Sequence, residues 1–165
     1  MAVRRVCRIP DRVLKVPGRE VGDDTDAELV ADLIDTMRAS PACVGLAAPQ
    51  IGLSKRVIVV DVTGHVKTTV CHGLVALIDP VIVESRGREV AREGCMSVPD
   101  LTANVVRARE VVVRGRAPDG SVQVIATEGF EARALQHEVD HLDGTLILDR
   151  VASLATDVFR RRTYR

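Results

Sequence analysis

The stretch QHEVDHLDG, residues 136–144, places two histidines four residues apart with a glutamate directly after the first. Residues four apart lie on one face of a helix, so His137 and His141 can bind the same metal ion. Glu138 is one helical step away, which suits a general base that activates water without binding the metal. Asp140 fits either an acceptor for an imidazole N–H or a solvated or capping acid. A surface helix without a metal is the alternative, but the apolar stripe around these residues favours a buried helix with a metal site.

The third ligand of this metal site is not determined by the stretch itself. A catalytic metal commonly has three protein ligands and one open position. The candidates are Cys95, Cys71, His65, His72 and the downstream acids Asp143, Asp149 and Asp157. The acids lie off the ligand face or in and beyond the next predicted strand, which favours an upstream cysteine. Cys95 lies in REGCMSVPDL (92–101), which predicts a rigid loop; a small buried thiol is the alternative that spacing leaves open.

Hydrophobic periodicity predicts three helices. An N-terminal helix over 24–38 has its apolar residues on one stripe and acids in its first turn. A second helix over 128–144 carries the two histidines and ends at Gly144. TLILDRVASLATDVFRRR (145–162) predicts a short strand followed by a final helix.

Between the first two helices the sequence predicts mainly strands. The predictions are a strand at KRVIVVDV (55–62), extended structure over 74–85 interrupted at Asp79-Pro80, and a hairpin over 105–127 that turns at Pro118-Asp119-Gly120. Helices and strands do not alternate in a βαβ order. We therefore expect one α+β domain, residues 1–165, with mainly antiparallel strands around the central helix that carries the motif.

The composition excludes several classes of protein. The chain has 165 residues, a formal net charge of zero and 2% aromatic residues, which argues against sequence-specific nucleic-acid binding. The N-terminus lacks the apolar region of a signal peptide, and no apolar run approaches the roughly 20 residues of a membrane span. The four cysteines form no C-x-x-C pair and are interpreted as thiols. These features predict a cytoplasmic protein with no membrane partner.

Three motifs in order, VGLAAPQIG (44–52), EGCMSVP (93–99) and QHEVDHLDG (136–144), resemble those of the peptide deformylase family. The resemblance extends over nearly the whole chain, and three ordered motifs are far more specific than H-E-x-x-H alone. The sequence also departs from the family pattern. Cys43 stands where the family usually has a glycine, and Met96 replaces the commoner leucine.

The resemblance implies a role for each matching residue. It implies that one divalent metal, Fe(II) with Zn or Ni able to replace it, is bound by Cys95, His137 and His141, with a fourth position open to water. It implies that Glu138 is the acid/base, and that Gln50 and the backbone N–H of Met96 polarise the formyl oxygen. The substrate-binding residues implied or suggested by position are Val44, Gly45, Glu93, Arg107, Phe130 and Arg133.

The implied function is removal of the formyl group from formyl-methionine at the start of nascent polypeptides, with release of formate. The expected partners are N-formylated nascent peptides and, weakly, the ribosome, through a basic C-terminal helix at FRRRTYR (159–165). One alternative is a relative that acts on another N-formyl small molecule, which Cys43 and the unusual segment 100–106 suggest. Less favoured alternatives are an endopeptidase and a non-catalytic homologue that holds metal or binds the ribosome.

Overall fold

Two antiparallel sheets and three α-helices make up residues 2–162, the part of the chain that the computed structural model describes. The strands are β1 (Gly45–Ala47), β2 (Val57–Val60), β3 (Val75–Arg86), β4 (Glu89–Cys95), β5 (Val98–Arg107), β6 (Glu110–Arg116), β7 (Val122–Glu128) and β8 (Val158–Arg160). The helices are α1 (Ala27–Ala39), α2 (Gly129–Leu142) and α3 (Ile147–Arg150), with 3-10 turns at Arg12–Lys15 and Ala48–Ile51. The larger sheet has the order β1-β2-β3-β6-β7 and the smaller one β4-β5-β8. The predicted α+β class with antiparallel strands is confirmed.

Strand β2, the second in the larger sheet, is buried on both faces because a helix packs on each side of it. Its sequence VIVV is apolar at every position, which is typical of a strand covered on both sides. Val57 and Val59 pack with α1 in one apolar cluster, and Ile58 and Val60 pack with α2 in the other. The larger sheet therefore lies between the N-terminal helix and the helix that carries the two histidines. Within residues 2–162, no helix has the length and apolar character needed to span a bilayer.

Helix α2 packs its apolar residues on the larger sheet and extends its polar residues toward β4 of the smaller one. Leu135, Val139 and Leu142 belong to the cluster that includes the larger sheet. The chain turns sharply after the helix at Gly144, which has a φ of 73°. A Cβ at this glycine would lie 2.7 Å from the carbonyl carbon of Lys15, so only glycine fits both the turn and the space. The predicted end of the helix is confirmed.

The segment around Cys95 is a tight hairpin, which corrects the prediction of a rigid loop over 92–101. β4 ends at Cys95, and only Met96 and Ser97 separate it from β5. The sequence does not show the apolar alternation typical of a strand, because one inward-facing position of β4 is Glu93. This carboxylate is buried through its ion pairs with Arg107 and Arg133. Cys95 is therefore held at the end of a hydrogen-bonded strand.

The C-terminal segment corrects a second prediction, that of a strand and a final helix over 145–162. The predicted strand is the short helix α3, where Asp149 accepts a hydrogen bond of 2.8 Å from the backbone N–H of Leu146. In place of the final helix, Val158–Arg160 forms β8 and pairs with β5. Pairing with a strand edge is a tertiary contact that overrides local helix propensity. Residues 163–165, the end of the predicted basic helix, lie outside the described residues.

Strand β3 continues through Asp79-Pro80, where the sequence suggested an interruption. The register of β3 with β6 shifts between Ile78 and Val81, which marks a bulge at this point. Asp79 takes a left-handed φ of 51°. Its carboxylate accepts the backbone N–H of Val21 at 2.8 Å, which ties the segment before α1 to the sheet.

Candidate active site

One cysteine and two histidines lie together between the two sheets. His137 and His141 stand on successive turns of α2, and Cys95 reaches them from the end of β4. One ligand atom from each of the three residues lies within 4.8 Å of the other two, and Cys95 Sγ is 3.3 Å from Nε2 of His141. Among the described residues this is the one cluster of its kind. The structure therefore brings together the three residues for which the resemblance implied metal binding.

The other cysteine and histidine candidates for a third ligand are not part of this cluster. Cys71 is exposed. Nδ1 of His72 is 2.5 Å from the buried carboxylate of Glu131, and His65 stacks on Phe130 with ring centroids 4.3 Å apart. Spacing alone did not exclude these residues, because their distance from α2 depends on how the chain folds between β2 and β3.

A divalent cation would displace the proton of His137 and leave both imidazoles neutral beside the thiolate of Cys95. Burial raises the pKa of a thiol, but the imidazoles of His141 and His137 outweigh this effect and hold the pKa of Cys95 well below its usual range. Burial likewise opposes protonation of His137, but the thiolate of Cys95 and the carboxylate of Glu93 raise the pKa of this histidine well above its usual range. A thiolate beside two imidazoles is a donor set that suits Zn, Fe(II) or Ni. The residues present therefore fit the metal that the resemblance implies.

Glu93 orients the ring of His137, one of the two histidines of the cluster. Its Oε1 accepts a hydrogen bond of 2.8 Å from Nδ1 of His137, and its two oxygens accept bonds of 2.9 Å from Arg107 and 2.6 Å from Arg133. Burial raises the pKa of this carboxyl, but His137 and Arg107 outweigh it, so the pKa lies well below its usual range. The supporting carboxylate considered for Asp140 is thus supplied by Glu93.

Arg107 and Asp140 form the layer behind Glu93. The guanidinium of Arg107 binds both Glu93 and Asp140, and Asp140 also accepts bonds of 3.0 Å and 2.6 Å from Arg150. Arg107 is 5% exposed and is not among the residues that line the adjacent cavity. Its donors are engaged by two buried carboxylates, which is a supporting position, and its contact with substrate stays a prediction.

Glu138 lies at the bottom of this cavity and is 4% exposed. Burial, with smaller contributions from Cys95 and Glu93, raises its pKa to about 7 against the lowering effect of the two histidines. Its Oε2 is buried with no hydrogen-bond partner within the described part of the chain. A Cβ at Gly45 would lie 2.7 Å from Oε1 of Glu138, so glycine is needed at that position of β1. A carboxyl that titrates near neutral pH is suited to general acid/base catalysis.

Gln50 reaches the cluster from the 3-10 turn after β1. Its Oε1 accepts the backbone N–H of Ala47 at 3.0 Å, which orients the amide group. Its Nε2 donates to Oγ of Ser97 at 3.1 Å and lies 3.8 Å from Sγ of Cys95. Sequence reasoning missed Ser97, although a polar residue inside EGCMSVP was a signal for it. The amide nitrogen is thus positioned beside the cysteine, as a donor to a reacting oxygen requires.

The cavity beside the cluster has a volume of about 390 Å³. Five of the six predicted substrate-binding residues line it, namely Val44, Gly45, Glu93, Phe130 and Arg133, and so does Met96. Cys43 and His65, which the sequence singled out for other reasons, also line it, together with Lys67, Arg92 and Arg161, which the sequence did not indicate. The guanidinium of Arg133 is bound to Glu93 and to two backbone carbonyls, so it offers mainly its stem. A second cavity of about 370 Å³ lies beside β3, β6 and β7, without histidine or cysteine in its walls.

Known proteins with the same sequence pattern and fold are deformylases. The model of the polypeptide deformylase family matches residues 3–157. The peptide deformylase of Halothermothrix orenii is 42% identical over 160 residues, which cover 96% of this chain and 99% of the relative; that of Desulforudis audaxviator is 44% identical over 165 residues, which cover 98% and 99%. The crystal structure of peptide deformylase from Ehrlichia chaffeensis in complex with actinonin has a TM-score of 0.87 and 33% identity, covering 94% of this chain and 92% of that one.

The chain belongs to the polypeptide deformylase family. It is accordingly a hydrolase of the peptide deformylase type, and it acts in protein biosynthesis. The resemblance found in the three sequence motifs is confirmed.

Proposed function

We propose that this chain removes the formyl group from formyl-methionine at the N-terminus of nascent polypeptides in a metal-dependent reaction that releases formate. The observation that carries the proposal is the cluster of Cys95, His137 and His141 beside Glu138, a buried carboxyl with its pKa raised to about 7. A stable amide bond is hydrolysed only when water is activated and the oxyanion is stabilised. The cavity contains groups for both tasks.

The metal would be held by Cys95, His137 and His141, with Fe(II) as the natural ion and Zn or Ni able to replace it. When bound, a divalent cation supplies Lewis acidity toward water and toward the formyl oxygen. A thiolate donor is soft and oxidisable, so the Fe(II) form should lose activity in air. Glu93 orients His137 through its hydrogen bond of 2.8 Å.

The remaining chemistry belongs to residues of the chain. Glu138 accepts the proton of the attacking water and returns it to the leaving amine, a transfer for which a pKa near 7 is suited. The Nε2 group of Gln50 and the backbone N–H of Met96 donate to the oxygen that becomes negative. The backbone of Gly45 binds the peptide, while Val44, Phe130 and the stem of Arg133 line the pocket for the methionine side chain.

The test is formate release from formyl-Met-Ala-Ser by protein loaded anaerobically with Fe(II), Ni or Zn. We expect turnover with the wild-type chain, loss of turnover without loss of bound metal in Glu138→Gln, and loss of both in Cys95→Ser. Metal content measured by elemental analysis separates the two variants. Absence of formate release by all three loaded forms would overturn the proposal.

The location and the second partner are proposed with the same function. Nascent chains are made in the cytoplasm, and the basic residues of 159–165 are the candidate contact with the ribosome. This contact rests on charge alone, since β8 replaces the expected helix at Val158–Arg160. Co-sedimentation with ribosomes at low salt, compared between the wild-type chain and a variant with Arg160 and Arg162 changed to glutamine, tests it; equal co-sedimentation of the two would contradict it.

A second candidate substrate class is favoured by one observation at Cys43. Its thiol lines the cavity and donates a hydrogen bond of 3.1 Å to the carbonyl of Gly45. That carbonyl is part of the backbone that a peptide substrate would use, so a small N-formyl compound without a following peptide is the alternative substrate. Comparison of kcat/KM for formyl-Met-Ala-Ser and for small formamides, in the wild type and in Cys43→Gly, decides between the two.

A further inference from the structure

One face of the smaller sheet forms a wall of the cavity. Side chains alternate between the two faces of a strand, so Arg92 shares a face with Gly94 on β4, and Phe159 shares it with Arg161 at the end of β8. The register connects them, because Gly94 pairs with Thr102 of β5 and Thr102 pairs with Phe159. Arg92, Gly94, Thr102 and Arg161 all line the cavity.

Two arginines cross this face in opposite directions. Arg92 extends from β4 over β8, with its guanidinium carbon 3.5 Å from the centre of the Phe159 ring and its Nε donating to Asn104 at 3.0 Å. Arg161 extends back to β4, where its Nη1 lies 2.9 Å from the position of a Cβ at Gly94. The backbone N–H of Arg161 donates to the carbonyl of Asp100 at 2.7 Å. The guanidinium group of Arg92 is therefore held in place by its own contacts, and the backbone of Arg161 is fixed so that its guanidinium group lies against Gly94 at the cavity wall.

Within residues 2–162, the accessible charged side chains that line the mouth of the cavity are basic. The exposed or half-buried charged residues that line it are Lys67, Arg92 and Arg161. The two acids that line it, Glu93 and Glu138, are 7% and 4% exposed, and Glu93 is bound by arginines and a histidine. The described lining of the mouth is thus basic, although the whole chain has a formal net charge of zero. The match to the family model ends at residue 157, so Arg161 comes from the segment that follows.

We propose that Arg92 and Arg161, with Lys67 of the same cavity lining, form a subsite for a carboxylate of the formylated peptide. The preferred substrates carry an acidic side chain at the second or third residue after formylation, and basic residues there are disfavoured. Guanidinium groups bind carboxylates through paired hydrogen bonds, and side chains that are already held in place lose less conformational freedom when they bind. This inference rests on the proposed deformylation and deepens it.

The test uses amidated formyl-Met tetrapeptides with Glu, Gln or Lys at the second or third residue. We expect kcat/KM for Glu to exceed that for Lys by roughly threefold to tenfold at low salt, since one exposed charge pair is worth a factor of about two to five. The preference should shrink in about 0.5 M salt, where charges are screened. The Gln peptide with a free terminal carboxylate shows whether the end of a short peptide can supply the same group.

Variants assign the preference to the arginines. In Arg161→Gln and in Arg92→Gln the ratio of kcat/KM for Glu and Lys peptides should fall by about twofold to fivefold, while Arg161→Lys should retain part of it. Arg160→Gln is the matched control, because it removes the same charge from the opposite face of β8 and should leave the ratio unchanged. The ratio is independent of the fraction of folded enzyme.

The outcomes separate the two proposals. If no peptide releases formate, deformylation itself fails. If the Gln peptides are hydrolysed but Glu is not preferred to Lys at either position, only the carboxylate subsite is overturned. An unchanged ratio in both arginine variants would overturn it as well.

Discussion

Oε1 of Glu93 lies 2.8 Å from Nδ1 of His137, so a buried carboxylate fixes the ring of a candidate metal ligand. The same carboxylate neutralises Arg107 and Arg133. Glu93→Gln therefore leaves the buried Arg133 without its counterion and leaves Arg107 with Asp140 alone. We expect the free energy of unfolding to fall by about 3–5 kcal/mol and metal affinity to fall by about 10- to 100-fold.

Denaturant unfolding and competition with a chelator measure these two effects of Glu93→Gln. Glu89→Gln is the control, because Glu89 lies on the same strand, is exposed and contacts Arg133 only through its backbone carbonyl. Equal stability of the two variants would contradict the role assigned to Glu93.

Gly45 leaves space for the catalytic carboxylate. In Gly45→Ala the new methyl group would lie 2.7 Å from Oε1 of Glu138, so the carboxylate must move. We expect kcat to fall by about 100-fold or more, the usual contribution of a positioned acid/base, with a small loss of thermal stability. Steady-state kinetics and thermal unfolding of the same preparation check this; wild-type kcat in the variant would show that Glu138 does not need its present position.

The pH dependence of the reaction follows from Glu138. Burial raises its pKa to about 7, and a bound cation, which favours the carboxylate, moves that pKa down. Because the deprotonated form is the base, kcat/KM should be lost as pH falls, with a midpoint at or below about 7. A profile of kcat/KM against pH measures the midpoint. A midpoint clearly above 7, or the same acidic limb in Glu138→Gln, would assign the titration to another group.

Cys43 should be a slow thiol despite its place in the cavity wall. Burial, with the charges of Glu138 and Cys95, raises the pKa of Cys43 to about 12, so the reactive thiolate is scarce at pH 8. Cys71 is exposed, and we expect iodoacetamide to alkylate it first. Peptide mapping by mass spectrometry over time gives the order, and Cys71→Ser removes the exposed thiol so that the slower reaction can be followed on the peptide that contains Cys43. Faster labelling of Cys43 would contradict the raised pKa.

Local spacing made part of the site predictable. His137, Glu138 and His141 are neighbours on one helix, so their relative positions follow from helical geometry alone. Cys95 and Gln50 lie far from them in the chain, and they were assigned through the resemblance of whole motifs rather than through spacing. The structure brings both beside the histidines.

Other features depend on tertiary contacts that the sequence does not express. The carboxylate behind His137 is Glu93, not Asp140, because a strand of the other sheet presents it there. The segment at Val158–Arg160 is a strand because β5 offers it an edge, although its local pattern favours a helix. The crossing of Arg92 and Arg161 likewise exists only once β4, β5 and β8 are paired.

The three candidate ligands come from opposite sides of the molecule: the histidines from α2, which packs on the larger sheet, and the cysteine from the hairpin of the smaller one. An ion bound by all three would link the two sheets. Because it binds the folded chain, its binding free energy would add to the free energy of unfolding. Melting temperature would then serve as a gauge of metal loading. Removal of the metal should first speed amide hydrogen exchange in the hairpin that carries Cys95, where the two sheets meet, while the amides of the buried strand β2 stay protected.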